Sequence, residues 1–272
     1  MQKFLFRLTV TWICQVIQVK NWITGRSRAG SDLSTEQARA TRHKIASGEN
    51  LLDAIYVEPA TGRVDAAVLI CHGIGETVER WVPVQQLLAA NGTASLIFDY
   101  SGYGRSSGTA DWSQFELDAV SAFQYLQGLA AGRPVSLLGF SMGSGIAAAI
   151  LQQVEAASLV MCAAFTSFRE AACLTVLPRA LSFLAPAIWK AEDSLSRCSL
   201  PVLIVHGAKD RLFPVRMASD LAGFCGEDVE LLIVPELRHN EPFRRPRQSY
   251  WGEIASRLVA QQVDGEAVLL TS

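Results

Sequence analysis

Charged residues are scarce in this chain, and the two signs nearly cancel. Asp, Glu, Lys and Arg together make up 18% of its 272 residues and leave a formal net charge of −2. A protein so balanced has no overall electrostatic attraction to nucleic acid or to anionic membranes. The sequence also carries no nucleic-acid-binding motif, so we expect no nucleic-acid partner.

Cysteine is too sparse and too scattered for a disulfide scaffold. The six cysteines include no C-x-x-C pair, and this usage suits a reducing compartment, so we expect a cytoplasmic protein.

The sequence also lacks a phosphate-binding loop. The glycine- and serine-rich stretch at 100–108 lacks the G-x-x-x-x-G-K-[ST] spacing, and we interpret it as a structural turn.

No apolar run is long enough to span a membrane, which takes roughly 18 uninterrupted residues. The start of the chain comes nearest, but Arg7, Gln15 and Gln18 interrupt it and no small-residue cleavage site follows. Its apolar residues recur at spacings of three or four, which predicts an amphipathic helix packed on the domain surface. The alternative is a helix lying in the membrane interface, which would give weak contact with a membrane surface.

What the sequence does contain is an alternation of apolar runs and helical patterns. Hydrophobic residues make up 50% of the chain, enough for one large core. Apolar runs at Ala66–Cys71, 200–205 and Val229–Val234 are separated by helical patterns such as the one at 115–126. This alternation predicts an α/β fold with a mostly parallel sheet covered by helices on both faces.

Ser141 is the strongest candidate for a catalytic residue. It stands in Gly139-Phe-Ser-Met-Gly143, between an apolar run at 134–138 and a run of small residues at 144–150. A strand, a sharp turn and a helix with serine at the apex are the context of a nucleophile elbow, in which the small flanking glycines let strand and helix pass closely. The N–H of Met142, at the start of the helix, can then point at a developing oxyanion.

Two further residues follow apolar runs in the chain order of a serine triad. Asp210 comes shortly after the run at 200–205, and His239 comes shortly after Val229–Val234. Catalytic groups of open α/β sheets gather at the carboxyl ends of the strands. His72 and His206 each precede a glycine at a strand end, where a structural hydrogen-bonding role is favoured.

A second oxyanion donor is expected after the run Ala66–Cys71, where the sequence continues His72-Gly-Ile-Gly-Glu76. We assign the donor to the N–H of Ile74, with Gly75 as the alternative. Glu76 places a carboxylate beside this loop, where it would oppose a developing oxyanion if it pointed inward. We expect it to be solvated or to cap the next helix.

Together these segments resemble the successive signatures of the α/β-hydrolase superfamily, over about residues 45–260. The segments are His72-Gly73, 98–104, Gly139-Phe-Ser-Met-Gly143, His206-Gly-Ala-Lys-Asp210 and His239-Asn240. The nearest resemblance is to the serine aminopeptidase-like and prolyl-oligopeptidase-like branch with a small lid. It implies Ser141 as nucleophile, His239 as general base, Asp210 as orienting acid, Ile74 and Met142 as oxyanion donors, and neither a metal nor an organic cofactor.

The domain organisation is predicted as three parts. An N-terminal amphipathic segment and linker occupies 1–42, the hydrolase domain 43–263, with its first strands near 44–58, and a tail 264–272. The strongly apolar segment at about 168–198 is the predicted lid and would form an acyl-binding wall. The alternative is an ordinary crossover that buries its apolar face on the sheet.

Four arginines lie near His239 in the sequence: Arg238, Arg244, Arg245 and Arg247. They are interpreted as a solvated loop, with contact to an anionic substrate as the alternative.

The function predicted from these features is a serine hydrolase that cleaves a carboxylic ester or thioester of a small-molecule acyl substrate through an acyl-enzyme. One alternative is an aminopeptidase-like amide hydrolase. Another is a non-catalytic binding module that keeps the hydrolase fold.

Overall fold

A computed structural model describes residues 33–175 and 177–269, with side chains up to residue 260. The strands are β1 (Ala38–Ser47), β2 (Asn50–Pro59), β3 (Ala66–Cys71), β4 (Thr93–Phe98), β5 (Val135–Phe140), β6 (Leu159–Cys162), β7 (Val202–Gly207) and β8 (Val229–Val234). The helices are α1 (Val78–Ala90), α2 (Trp112–Leu129), α3 (Met142–Ala149), α4 (Phe168–Thr175), α5 (Ala191–Leu195), α6 (Val215–Phe224), α7 (Glu241–Arg244) and α8 (Gln248–Leu269), with a 3₁₀ helix at Arg179–Leu184.

The strands form one sheet of eight, in the order β1-β2-β4-β3-β5-β6-β7-β8. The pairs β1–β2 and β2–β4 are antiparallel, and every other neighbouring pair is parallel. Every residue of β3 to β7 is buried, because helices cover both faces and create two separate apolar clusters. The predicted α/β-hydrolase fold class is confirmed.

Secondary structure extends beyond both predicted ends of the hydrolase domain. Strand β1 begins at Ala38, inside the predicted linker, and the expected strands near 44–58 are a hairpin whose turn begins at Gly48, with φ of 57°. Because β1 is an edge strand with many exposed polar residues, it lacks the apolar run that marks a buried strand. Helix α8 continues to Leu269, past the predicted end of the domain at residue 263.

The predicted amphipathic helix at the start of the chain lies outside the described residues. Within 33–175 and 177–269, no helix combines the length and the apolar character needed to cross a bilayer. The membrane contact expected from the first residues therefore stays a prediction.

The segment predicted as a lid consists of α4, the 3₁₀ helix and α5. Trp189 fixes it to the domain: the residue is only 6% exposed, and its indole Nε1–H donates to Glu116 of α2 at 2.9 Å. Its ring also packs edge-on against Phe168, with 5.4 Å between the ring centroids. Leu181 and Phe183 of the 3₁₀ helix are instead 40% and 59% exposed. The segment thus has a buried anchor and an exposed apolar tip.

We predict that Gly143→Ala destabilises the fold, whereas Gly128→Ala does not. A Cβ atom at Gly143 would lie 1.9 Å from the backbone oxygen of Cys71, whereas one at Gly128, within α2, meets open space. The free energy of unfolding, measured in urea, should fall by about 1–3 kcal/mol or more for Gly143→Ala. It should rise by about 0.5–1 kcal/mol for Gly128→Ala, because alanine is the better helix former. Equal midpoints would show that α3 can move away from β3.

Candidate active site

Ser141 occupies the turn between β5 and α3, as predicted. Its backbone has φ 51° and ψ −118°, a left-handed conformation that costs energy for any residue with a side chain. The surrounding contacts enforce it: the Ser141 N–H donates to the oxygen of Cys162 at 2.9 Å, and a Cβ at Gly139 would lie 2.5 Å from the oxygen of Gly143. The tight crossing projects the serine side chain from the end of the sheet.

The structure brings the three predicted residues into one hydrogen-bonded chain. His239 Nε2 lies 3.0 Å from Ser141 Oγ, and His239 Nδ1 lies 2.7 Å from Asp210 Oδ2. The other carboxylate oxygen of Asp210 accepts the backbone N–H groups of Leu212 and Phe213 at 2.8 and 3.0 Å. These residues come from the loops after β5, β7 and β8, so parallel strands deliver all three to one edge of the sheet.

The surroundings of Asp210 favour its charged form. Burial alone would raise the pKa of this carboxyl, but the hydrogen bond from His239 and the two backbone N–H groups outweigh it, and the pKa is lowered. Nearby His206 is fully buried, and its Nε2 pairs with the oxygen of Phe213 at 3.1 Å. Burial lowers the pKa of His206. The burial of His206 and its hydrogen bond to Phe213 indicate the structural role expected from its position.

Aromatic rings hold the imidazole of His239 from two sides. Phe213 meets it edge-on at 5.1 Å between ring centroids, and Phe140 is tilted against it at 5.5 Å. The His239 side chain is 10% exposed. Such packing leaves the ring few rotamers besides the one that bridges Ser141 and Asp210.

Both predicted oxyanion donors lie where their N–H groups are available. Met142 is the first residue of α3, and Ile74 lies in the turn after β3. No residue in the part of the chain that the structure describes accepts a hydrogen bond from either N–H. Unsatisfied N–H groups at the start of a helix suit a negative charge. The donor role itself stays a prediction.

The expectation that Glu76 is solvated or caps the next helix is wrong. Glu76 is only 5% exposed, and its carboxylate accepts the indole N–H of Trp81 at 2.7 Å and the N–H of Gly73 at 3.1 Å. Burial raises the pKa of Glu76, although His72 and His239 lie close enough to oppose this. Glu76 therefore ties the proposed oxyanion loop to α1. The one signal in the sequence was the tryptophan five residues further on.

The loop at 100–108 is a packed turn. Tyr100 and Tyr103 are buried, and Tyr100 donates its hydroxyl hydrogen to the oxygen of His72 at 3.1 Å. A Cβ at Gly104 would lie 1.8 Å from a carboxylate oxygen of Asp99. Among the described residues, no cluster of three or more His, Cys, Asp or Glu could hold a metal ion.

Comparisons with known proteins agree with this geometry. The sequence model described as serine aminopeptidase, S33, matches residues 62–191. The Pyrococcus furiosus esterase Pf2001 superposes with a TM-score of 0.67 at 20% identity, over 87% of this chain and 96% of that one. The chain has the α/β-hydrolase fold, and the S33 model matches slightly less than half of it. The predicted resemblance to α/β-hydrolases and the predicted hydrolase class are thus confirmed.

Several other proteins are similar to this α/β-hydrolase. The uncharacterized protein Rv2307c of Mycobacterium tuberculosis is 26% identical over 189 residues, which cover 69% of this chain and 67% of that protein. The lysophosphatidylserine lipase ABHD12 of Macaca fascicularis is 25% identical over 62% of this chain. The match spans 48% of that lipase, so this α/β-hydrolase corresponds to about half its length. A soluble variant of monoglyceride lipase from Saccharomyces cerevisiae superposes with a TM-score of 0.66 at 16% identity, over 87% of this chain and 99% of that one.

We predict that Glu76→Gln becomes more stable relative to the wild type as the pH rises. A raised pKa in the folded state means that the folded protein favours the protonated carboxyl. The stabilisation is complete below the ordinary carboxyl pKa and is lost as the pH rises through the raised value. Glutamine cannot ionise, so the difference in free energy of unfolding should grow across a pH series that rises from about pH 5.

Urea unfolding across this pH series measures the effect. Glu155→Gln is the matched control, because Glu155 is exposed, and its difference from the wild type should stay flat. A constant difference for Glu76→Gln would show that the buried carboxyl is ionised in both states.

Proposed function

We propose that this α/β-hydrolase cleaves a carboxylic ester or thioester through an acyl-enzyme on Ser141. The observation that carries the proposal is the unbroken hydrogen-bonded chain from Asp210 through His239 to Ser141. His239 would take the serine proton as Oγ attacks the acyl carbon and then give it to the departing alcohol or thiol. A water molecule, activated by the same imidazole, would release the acid.

The other groups have supporting roles in this proposal. Asp210, anchored by two backbone N–H groups, would keep the His239 tautomer that presents an unprotonated Nε2 to the serine. The N–H groups of Met142 and Ile74 would stabilise the tetrahedral oxyanion. Glu76 would hold the loop that carries Ile74, through its hydrogen bond to the N–H of Gly73.

Two observations support an ester with an apolar acyl chain as the substrate. Proteins named esterase, monoglyceride lipase and lysophosphatidylserine lipase stand among the relatives. The exposed apolar tip of the lid, formed by Leu181 and Phe183, offers a surface for an acyl chain. The match to the serine aminopeptidase model makes an amide hydrolase the second candidate.

We expect Ser141→Ala to abolish both fluorophosphonate labelling and ester hydrolysis. The phosphonate bonds to an activated serine oxygen, which alanine lacks, and loss of a triad nucleophile costs about 10⁶-fold in kcat. Mass spectrometry of the labelled protein identifies the site. Ser113→Ala, which removes an exposed serine near the start of α2, should label and turn over like the wild type. Full turnover by Ser141→Ala would reject the mechanism.

We also expect kcat/KM to rise from p-nitrophenyl acetate to butyrate to octanoate. Each buried methylene should contribute up to about 0.8 kcal/mol, or about fourfold, until the pocket is full. Phe183→Ala should flatten this rise, because it removes the largest exposed ring of the lid. Leu117→Ala, which removes an apolar side chain 55% exposed on α2, should not. Faster cleavage of aminoacyl p-nitroanilides would favour the amide hydrolase instead.

A further inference from the structure

A cavity of about 390 Å³ opens beside His239. One wall is the loop after β7, with Lys209 and Arg211. The other is the segment after β8, with Arg238, Arg244 and Arg245. These two stretches are far apart in sequence and adjacent only because β7 and β8 are paired. The cavity is large enough for a small polar group attached to a substrate.

The walls of this cavity are strongly cationic, although the chain as a whole is weakly acidic. Five basic side chains line it against one carboxylate, Glu241, while the formal net charge of the protein is −2. Glu241 is already engaged, because it accepts the backbone N–H of Arg238 at 2.9 Å. Lys209 forms an ion pair with Glu236.

The four arginines of the cavity differ from Lys209 in this respect. Among the residues that the structure describes, none forms an ion pair with Arg211, Arg238, Arg244 or Arg245. In contrast, Arg63 pairs with Asp65, and Arg257 pairs with both Glu230 and Glu253. Arg244 instead lies over the ring of Phe243, 5.9 Å from its centroid. Guanidinium groups left together without carboxylates form a favourable site for an anion, especially one with several oxygens.

The position of the cavity decides which part of a substrate it meets. During acylation the C–O bond of the ester breaks, the acyl carbon stays on Ser141 Oγ, and the departing oxygen takes a proton from His239 Nε2. The leaving alcohol therefore lies on the His239 side of the site. Because His239 itself lines the cavity, the alcohol portion is the part that reaches the arginines.

We propose that this cationic cavity binds a phosphate group carried by the alcohol portion of the ester substrate. The proposal rests on the ester hydrolase function above and specifies its substrate class. It also predicts that a peptide with a free amino terminus is a poor substrate, since the cations repel an ammonium group.

Three octanoyl esters that differ only in the alcohol test the proposal: those of glycerol, glyceric acid and glycerol 3-phosphate. The wild type should show the highest kcat/KM for the phosphate ester. Arg211→Gln and Arg244→Gln should each lower the ratio of phosphate to neutral ester by about tenfold, since a charge-assisted hydrogen bond is lost. Arg63→Gln, on the β2–β3 connection, should keep the wild-type ratio. Unchanged ratios in all variants, or a preference for the neutral or glyceric acid ester, would overturn the proposal.

A binding measurement tests the cationic cavity independently of ester hydrolysis. Calorimetric titration of Ser141→Ala with glycerol 3-phosphate should give binding that Arg211→Gln and Arg244→Gln, added to this background, each weaken about tenfold. Absence of binding would overturn the cavity proposal even if the esters are hydrolysed. Binding without any ester turnover or fluorophosphonate labelling would keep the anion site and reject the hydrolase function. Binding of the protein to phosphatidylserine vesicles that is lost in the arginine variants, with ester ratios unchanged, would assign the cations to a membrane surface instead.

Discussion

Helix α3 crosses the carboxyl ends of β3 and β5 at a distance that leaves no room for a side-chain carbon. A Cβ at Gly143 would meet backbone atoms of Cys71 and His72, and one at Gly139 would meet Gly143 and Ser144. This close approach forces the chain to reverse within one residue, which places the backbone of Ser141 at φ 51°. It also brings the first N–H groups of α3 beside the end of β3. The serine, the helix start and the neighbouring loop are therefore consequences of one crossing.

Two buried carboxylates hold the loop after β3 and the start of α1 in place. The loop after β3 is a short turn with a backbone hydrogen bond from the N–H of Glu76 to the oxygen of Gly73, and two acidic side chains supply further hydrogen bonds. Glu76 accepts from Gly73 and from Trp81 of α1, and Asp99, at the end of β4, accepts the N–H of Val78 at the start of the same helix. These hydrogen bonds connect the loop to α1. Rigid support of this kind suits a site in which donors must be held before the charge develops.

The parts of the structure that were predictable from the sequence have short-range signals. Strands β3, β5, β7 and β8 are mostly apolar runs, and the elbow glycines flank Ser141 closely, so the positions of these strands along the chain and the triad candidates could be inferred. Strand β1 could not, because an edge strand with an exposed face looks polar. The burial of Glu76 depends on an indole that only the fold of the loop brings back to it. The cationic cavity depends on two loops that meet in space, and in sequence its second wall resembled an ordinary solvated loop.

The three catalytic candidates follow strands that differ in how deeply they are buried in the sheet. Ser141 follows β5, which is buried in the middle of the sheet, and Asp210 follows β7, which is also fully buried. His239 instead follows β8, which pairs only with β7 at the end of the sheet and includes the exposed residues Glu230 and Leu231. An edge strand opens at a lower free energy than the core it borders. On heating, we therefore expect the imidazole to leave the serine while the central sheet is still intact, so that the outermost strand would limit resistance to thermal inactivation.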